Sequence, residues 1–209
     1  MIYGIILAAG EGKRMGKVKL TLPLGDKQLI EWVLQAAKLA PLDKYFLVVR
    51  PEDKEIVDIG KAWGAEIVFN PNFRKGMSTS IREALLKVNT QKVEGFFLIL
   101  GDQPLITSKI INKLIKSFYP GKGEIVVPFY KGQQGNPVLF DICWHDELLK
   151  LSGDIGGRNL IKAHLENIKR VEILDKAVVE DIDSEEDYLN IKSYFNQHKE
   201  DIKEENKNE

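Results

Sequence analysis

Residues 5–16, with the sequence IILAAGEGKRMG, decide the predicted fold. They join a short run of branched apolar residues to a glycine-rich segment, which is typical of a buried strand that leads directly into a tight turn. Small residues at positions 8, 9, 10 and 12 allow the backbone to approach a ligand closely. A glycine-rich turn can also direct several N–H groups at phosphate oxygens. The stretch therefore predicts a first strand followed by an anion-binding loop.

Two basic side chains in and after this loop favour a polyphosphate ligand. Arg14 supplies a planar fork of N–H donors, and Lys19 supplies a point charge. Two familiar phosphate loops do not fit, because Met15 stands where a dinucleotide-binding fingerprint needs glycine and Val18 follows Lys17 where a Walker A loop needs Ser or Thr. A tight turn with solvated lysines is the alternative. Ligand binding is favoured because ligands of α/β sheets lie beyond the carboxyl ends of the strands.

Strand-like and helix-like segments alternate along the 209 residues. This alternation predicts an α/β fold with a single Rossmann-like, mostly parallel sheet and helices on both faces. Two neighbouring strand candidates, joined by a polar glycine-bearing segment, predict a small β-hairpin excursion from that sheet. The predicted strands are 5–7, 46–49, 67–69, 96–100, 125–130, 137–140 and 171–174.

Amphipathic helices are predicted between these strands from apolar residues spaced three and four positions apart. Thr107 or Ser108 caps one of them, and another extends over 158–168. The last helix begins at Ser184, where Asp187 completes a capping box. The others are centred on 30–37, 56–63, 81–88 and 110–118.

Composition limits the classes of partner. The chain has 30 basic and 31 acidic residues, so a global positive field that would hold nucleic acid is not expected. No run of residues is long and apolar enough for a membrane span, and we expect a cytoplasmic protein.

The single cysteine, Cys143, is interpreted as a buried small hydrophobic residue. One domain is predicted over 1–196, followed by a charged, disordered tail over 197–209.

The loop resembles the signature of the nucleotidyltransferase, or pyrophosphorylase, superfamily, in which LAAGxGxRMG is followed by a lysine. Further segments resemble the molybdenum cofactor cytidylyltransferases, and their order is more specific than the loop alone. The resemblance extends to Tyr194 and implies a MobA-like NTP transferase fold. The segments that carry it are NP at 70–71, GMSTSI at 76–81, GDQP at 101–104, GNPVLF at 135–140, GDIGGR at 153–158 and DID at 181–183.

Two aspartates are the candidate ligands for Mg²⁺. Asp102 follows a buried strand, which would deliver its carboxylate to the ligand edge of the sheet, although a turn or cap role is the alternative. The resemblance implies that Asp183 helps to hold the metal from across the site, and a helix N-terminal charge beside Ser184 is the competing interpretation. Two carboxylates suffice, because Mg²⁺ takes substrate phosphates and water as its other ligands.

The remaining candidate residues divide between the two substrates. Ser78 and Ser80 lie near a predicted helix start, where they either meet a nucleobase or only cap the helix. The segment 153–158 precedes another helix and either receives the acceptor phosphate or forms a solvent loop. The candidate nucleotide-binding residues are Leu7, Ala8, Ala9, Gly10, Gly12, Met15, Gly76, Ser78 and Ser80, and the candidate acceptor-binding residues are Gln103, Asn136, Pro137, Asp154, Gly156, Gly157 and Arg158.

The resemblance implies transfer of CMP from CTP to a molybdopterin-type molybdenum cofactor, with release of pyrophosphate, for the maturation of molybdenum hydroxylases. Lys19 would contact the α-phosphate, Arg14 the departing pyrophosphate, and Asp102 the metal. A phosphate monoester acceptor is largely ionised at neutral pH, so no general base is needed. Transient contact with a molybdenum hydroxylase is also implied.

Three alternatives stay open at this stage. GTP is the alternative nucleotide, although residues 8–10 (AAG) resemble the cytidylyl branch, whereas guanylyl relatives more often have glycine at the position of Ala9. The acceptor is open as well: a sugar phosphate, a methylerythritol phosphate or a phospholactate would fit the same chemistry, and Asn136 stands where relatives have His as well as Asn. A protein that binds a nucleotide or cofactor without turnover is the alternative from another class.

Overall fold

The computed structural model describes residues 1–10, 19–153 and 156–205. The strands are β1 (Ile2–Leu7), β2 (Pro23–Leu24), β3 (Lys27–Gln28), β4 (Lys44–Val49), β5 (Glu66–Phe69), β6 (Gly95–Leu100), β7 (Ile125–Tyr130), β8 (Gln133–Gln134), β9 (Val138–Asp141) and β10 (Ile168–Glu172). The α-helices are α1 (Leu29–Leu39), α2 (Lys54–Ala62), α3 (Met77–Leu85), α4 (Ser108–Lys116), α5 (His145–Leu149), α6 (Arg158–Ala163), α7 (Glu185–Gln197) and α8 (Lys199–Glu205).

The main sheet has the strand order β10-β7-β9-β6-β1-β4-β5. β1 pairs in parallel with both β4 and β6, and β5 and β10 are also added in parallel. β9 is antiparallel to both of its neighbours, and β8 pairs antiparallel with the end of β7. The α/β class, the mostly parallel sheet and the hairpin excursion are thus confirmed.

Two layers of helices cover the sheet because its central strands are apolar on both faces. In β1, Ile5 and Ile6 are both fully buried and point to opposite faces, as successive strand residues do. Ile6 packs in a cluster with residues of α1, α2, α4 and α7, whereas Ile5 packs with residues of α3, α5 and α6.

The helix starts are largely as predicted. Thr107 is the N-cap of α4, and its hydroxyl accepts a hydrogen bond from the N–H of Ile110. Ser184 caps α7 and forms the capping box with Asp187. The helix predicted over 158–168 is shorter, because α6 ends at Ala163 and the chain at Ile168 already pairs with β7.

The C-terminal helix and Cys143 bear on two further expectations, of which the burial of Cys143 was wrong. The tail is helical over α8, where Ile202 is buried and the hydroxyl of Ser108 donates to the carbonyl of Glu205. Cys143 is exposed rather than buried, because it lies in a short 3-10 turn that buries Trp144 instead. Residues 206–209 lie outside the description, and the domain boundary at 196 stays a prediction.

Over the residues that the structure describes, no helix is both long and apolar enough to cross a membrane.

The strand predicted at 171–174 begins earlier, as β10, and ends before Leu174, which is 94% exposed. A short antiparallel hairpin, β2 with β3, was not predicted, because strands of two residues carry no readable periodicity.

Candidate nucleotidyl-transfer site

One lysine and two aspartates meet beyond the ends of β1 and β6. The ammonium of Lys19 lies 2.8 Å from Oδ2 of Asp102 and 3.3 Å from Oδ1 of Asp183. Lys19 begins a short 3-10 turn, Asp102 follows β6 after one residue, and Asp183 directly precedes the cap of α7. Segments that are far apart in the sequence therefore supply one charged cluster.

Backbone contacts fix Asp102 in this position. The N–H of Gly101 donates to the carbonyl of Leu7 at 3.0 Å, and the N–H of Ile182 donates to the carbonyl of Asp102 at 3.2 Å. A methyl group at Gly101 would lie 2.9 Å from that Leu7 carbonyl, so the close approach of β1 and β6 needs glycine here. The end of β6 is thereby joined both to β1 and to the segment before α7.

The charges in the cluster are coupled. Burial would lower the pKa of the Lys19 ammonium, but the carboxylates of Asp102 and Asp183 outweigh burial and raise that pKa above its ordinary value. Asp181 lies in the same field: burial raises the pKa of its carboxyl group, and the negative charges of Asp102 and Asp183 raise it further. The positive charge of Lys19 acts in the opposite direction on the pKa of Asp181, so all four side chains are electrostatically coupled.

The oxygen atoms suit a small divalent cation. Oδ1 of Asp102 is buried and has no hydrogen-bond partner among the described residues, so it keeps a lone pair for another ligand. Asp102 and Asp183 both reach a single ammonium, so a single metal ion can also reach both, and carboxylate oxygens are the ligands that Mg²⁺ prefers. Within the described ranges no group of three His, Cys, Asp or Glu forms a metal cage. The residues therefore fit a metal that takes its other ligands from substrate and water.

The strand end that precedes the loop is rigid. The N–H of Ala8 donates to the carbonyl of Val48 at 2.9 Å, and Ala8 and Ala9 are buried. At Gly10, an added methyl group would meet nothing within 4 Å. β1 thus ends at Leu7, as predicted, and Ala8 to Gly10 follow it, whereas Gly12, Arg14 and Met15 lie outside the described residues.

The start of α3 is the candidate nucleobase region. Gly76 is the N-cap residue with φ at 103°, a conformation that favours glycine. Ser78 and Ser80 are both buried. Asn70, which is fully buried after β5, donates to the hydroxyl oxygens of Thr79 and Ser80 at 2.9 Å each.

Part of the candidate acceptor segment touches this helix start. The N–H of Ser78 donates to the carbonyl of Gly153 at 3.2 Å. A methyl group at Gly156 would lie 2.7 Å from Sδ of Met77, so Gly156 packs directly on α3. Gly157 is the N-cap residue of α6, and the exposed Arg158 begins that helix. Asp154 lies outside the described residues.

The other acceptor candidates lie on two further segments. The N–H of Asn136 donates to the carbonyl of Val178 at 2.8 Å, and the Asn136–Pro137 peptide bond is cis. Gln103 is 2% exposed, and its Oε1 has no hydrogen-bond partner in the described part of the chain. A buried amide oxygen without a partner is costly unless a ligand or water satisfies it, which favours a binding role for Gln103.

Two residues that shape the site, Asp181 and Asn70, were not predicted as site residues from the sequence. Asp181 and Asp183 alternate with the fully buried Ile182, and this spacing by two could have shown that both carboxylates share one side of an extended segment. Asn70 carried no such signal, since an Asn-Pro pair after a strand commonly marks a turn.

The chain is similar to known proteins over most of its length. The chain is 27% identical over 197 residues to the purine catabolism protein PucB of Bacillus subtilis (strain 168), covering 90% of this chain and 94% of that protein. It is 26% identical over 192 residues to the molybdenum cofactor cytidylyltransferase of Escherichia coli (strain K12), covering 91% and 95%.

Solved structures give the same fold. The Rv0371c homologue from Mycobacterium sp. strain JC1 matches with a TM-score of 0.82 and 30% identity over 94% of this chain and 97% of that one. The manganese complex of Rv0371c from Mycobacterium tuberculosis H37Rv matches with a TM-score of 0.78 and 27% identity over 92% and 98%. The family model described as "MobA-like NTP transferase domain" matches residues 4–168, and the chain belongs to that nucleotidyltransferase family.

Proposed function

We propose that this protein transfers CMP from CTP to a molybdopterin-type molybdenum cofactor and releases pyrophosphate, with Mg²⁺ as the metal. The observation that carries the proposal is the cluster of Lys19, Asp102 and Asp183 at the carboxyl edge of the sheet. This cluster offers one cation for a phosphate and two carboxylates for a metal. The likeness to the molybdenum cofactor cytidylyltransferase of Escherichia coli over most of both chains supports the choice of substrates.

The reaction needs placement and charge neutralisation more than proton transfer. An oxygen of the acceptor's terminal phosphate attacks the α-phosphorus of CTP, a new P–O bond forms, and the bond to the β-phosphate oxygen breaks so that pyrophosphate leaves. The acceptor phosphate is already largely ionised at neutral pH, and no base has to remove a proton. Mg²⁺, when bound, neutralises charge on the phosphate oxygens.

The side chains divide this work. Lys19 contacts the α-phosphate, where negative charge has to be stabilised as the bonds change. Asp102 and Asp183 hold the metal, and Arg14 with the loop amides takes the pyrophosphate. Asp181 adds a further negative charge beside the two ligands. Residues 7–10 and the start of α3 bind the nucleotide.

The candidate acceptor-binding residues position the acceptor. Gly156 and Gly157, at the start of α6, receive the acceptor together with Arg158 and Asp154, while Gln103 and the segment of Asn136 and Pro137 bind its remaining polar groups. The contact between Gly153 and Ser78 brings this group against the nucleotide side, as transfer between two bound substrates requires. The product would serve the maturation of molybdenum hydroxylases through transient contact with the recipient enzyme.

Incubation with each of the four nucleoside triphosphates and purified molybdopterin-type cofactor tests the proposal. The expected result is pyrophosphate release and a cytosine dinucleotide product with CTP, and neither with the Asp102→Asn variant. Release with a sugar phosphate, a methylerythritol phosphate or a phospholactate as acceptor, and none with the cofactor, would reassign the substrate. Nucleotide binding without any pyrophosphate release would instead indicate a non-catalytic accessory protein.

A further inference from the structure

The side chain of Asn70 forms hydrogen bonds at the start of α3. It is fully buried where β5 ends, and its own backbone N–H donates to the carbonyl of Val49 at 2.9 Å. Its amide reaches three groups at 2.9 Å: the N–H of Asn72 and the hydroxyl oxygens of Thr79 and Ser80. The side chain therefore links the end of β5 to the first turn of α3.

The direction of these hydrogen bonds is fixed. A backbone N–H can only donate, so the atom of Asn70 that meets the N–H of Asn72 must be the carbonyl oxygen Oδ1. The NH₂ group then faces Thr79 and Ser80 and donates to both hydroxyl oxygens. Both hydroxyl oxygens must accept from Asn70, so each hydroxyl must donate its own proton to a different acceptor.

The two hydroxyls differ in where that proton goes. The hydroxyl of Thr79 donates to the carbonyl of Gly76 at 2.8 Å. Ser80 is 5% exposed, and within the described part of the chain no acceptor lies in reach of its hydroxyl proton. A buried donor without an acceptor is unfavourable, so among the described residues the Ser80 proton stays available to a bound ligand.

We propose that Asn70 is a positioning residue that makes Ser80 a hydrogen-bond donor to the nucleobase and thereby selects cytosine over uracil. The inference rests on the proposed function, in which the start of α3 meets the base of the nucleotide. Cytosine and uracil have similar shapes and differ at position 4 and at ring nitrogen N3, which accepts in cytosine and carries a proton in uracil. The Ser80 hydroxyl can donate to N3 of cytosine while it accepts from Asn70, whereas against the N3–H of uracil it would have to accept a second time and leave its own buried proton unpaired.

Equilibrium binding of CTP and of UTP in the presence of Mn²⁺ tests this role without any acceptor. The key variant is Asn70→Asp, because the new carboxylate accepts hydrogen bonds and turns the Ser80 proton inward, so that Ser80 presents lone pairs to the base. We expect the ratio of CTP to UTP affinity to fall by about tenfold or more. The added charge repels both triphosphates equally and cancels in the ratio.

A double-mutant cycle with Ser80→Ala separates positioning from simple structural damage. Ser80→Ala alone should lower the ratio, and Asn70→Asp should change it by less than about twofold when added to Ser80→Ala. Thr79→Val is the matched control: Asn70 also donates to this hydroxyl, but its proton is already taken by Gly76, so the ratio should not change.

Three results would overturn the inference: an unchanged ratio in Asn70→Asp, the same effect with and without the Ser80 hydroxyl, or an unchanged ratio in Ser80→Ala. If Asn70→Asp does not fold, as judged by circular dichroism, an unchanged ratio in Ser80→Ala still overturns the inference. If the wild-type protein prefers CTP and a variant gives one of these results, only the positioning role of Asn70 is rejected. A wild-type protein that binds both pyrimidines equally loses the cytidylyl assignment itself.

Discussion

The ammonium nitrogen of Lys19 lies 2.8 Å from Oδ2 of Asp102, although 83 positions separate the two residues. The contact is partly buried, since the two side chains are 12% and 25% exposed. Lys19 therefore neutralises an oxygen donor that a divalent cation also needs. In the proposed function, movement of the ammonium to a phosphate of the nucleotide would make the carboxylates of Asp102 and Asp183 available to the metal.

Asp102→Asn should nearly abolish transfer and leave the fold intact. The substitution removes the charge of a metal ligand with little change of volume, and the backbone contact from Ile182 to residue 102 does not involve the side chain. Pyrophosphate release at limiting Mg²⁺ measures the effect. Asp146→Asn, at an aspartate whose side chain is 84% exposed, is the control for loss of one negative charge. A rate near that of the wild type would exclude the metal role.

Lys19→Ala should lower kcat more than it raises KM. A contact to the reacting phosphate strengthens as charge develops in the transition state. Its loss therefore lowers the rate of the chemical step more than the affinity for CTP. Steady-state kinetics over a range of CTP concentrations give both constants. A variant with raised KM and unchanged kcat would show that Lys19 only binds the nucleotide.

The same substitution should tighten the binding of Mn²⁺ in the absence of nucleotide, by about tenfold. Removing the ammonium leaves the carboxylates of Asp102 and Asp183 without a competing cation, and a coupling of that size is ordinary for partly buried charges. Electron paramagnetic resonance of free Mn²⁺ gives the affinity. Lys44→Ala is the matched control, because Lys44 pairs with Glu66 at 2.7 Å on other strands. Weaker or unchanged binding in Lys19→Ala would show that the ammonium and the metal do not compete.

The parts of the fold that follow from local periodicity were predictable. The buried strands alternate with amphipathic helices, and the delivery of Asp102 to one edge follows from the parallel arrangement alone. The insertion of β9 between β6 and β7 did not follow, because pairing order depends on contacts between distant segments. Neither did the docking of α8, which depends on the burial of Ile202 against residues far away in the chain.

The candidate site was also only partly predictable from the sequence. The identity of Lys19, Asp102 and Asp183 as charged candidates could be inferred from spacing and resemblance. Their convergence on one ammonium required the three-dimensional arrangement. The role of Asn70 could not be inferred, because a fully satisfied buried amide is recognised by its partners and not by its neighbours in sequence.

Asp187→Asn should lower the stability of the fold at neutral pH by less than about 1 kcal/mol. Hydrogen bonds from the side chain and backbone N–H of Ser184 lower the pKa of the Asp187 carboxyl group. A lowered pKa stabilises the folded state above the unfolded pKa of about 3.9 and loses that contribution as the pH falls through the folded value. Urea unfolding at a series of pH values should show the two proteins converging below about pH 4. A difference that persists at acidic pH would exclude this origin.

CTP should be preferred over GTP, and the preference should reside in the end of β1 and the start of α3. Ala9 is 4% exposed and packs in the same cluster as Ile81 of α3, so its methyl group narrows the space beside the helix start. A purine needs more room, and the buried hydroxyls of Ser78 and Ser80 would be left unpaired by a misplaced guanine.

Each such unpaired group costs about 1 to 3 kcal/mol, so one or two of them give roughly tenfold to several hundredfold discrimination in kcat/KM. The test is a competition assay with equal concentrations of CTP and GTP. It is repeated for Ala9→Gly combined with Ser78→Ala and Ser80→Ala, which should reduce the preference because both the methyl group and the hydroxyls are gone. If the wild-type protein incorporates both nucleotides equally, the cytidylyl assignment fails, whereas membership of the nucleotidyltransferase family is unaffected because it rests on the match over residues 4–168.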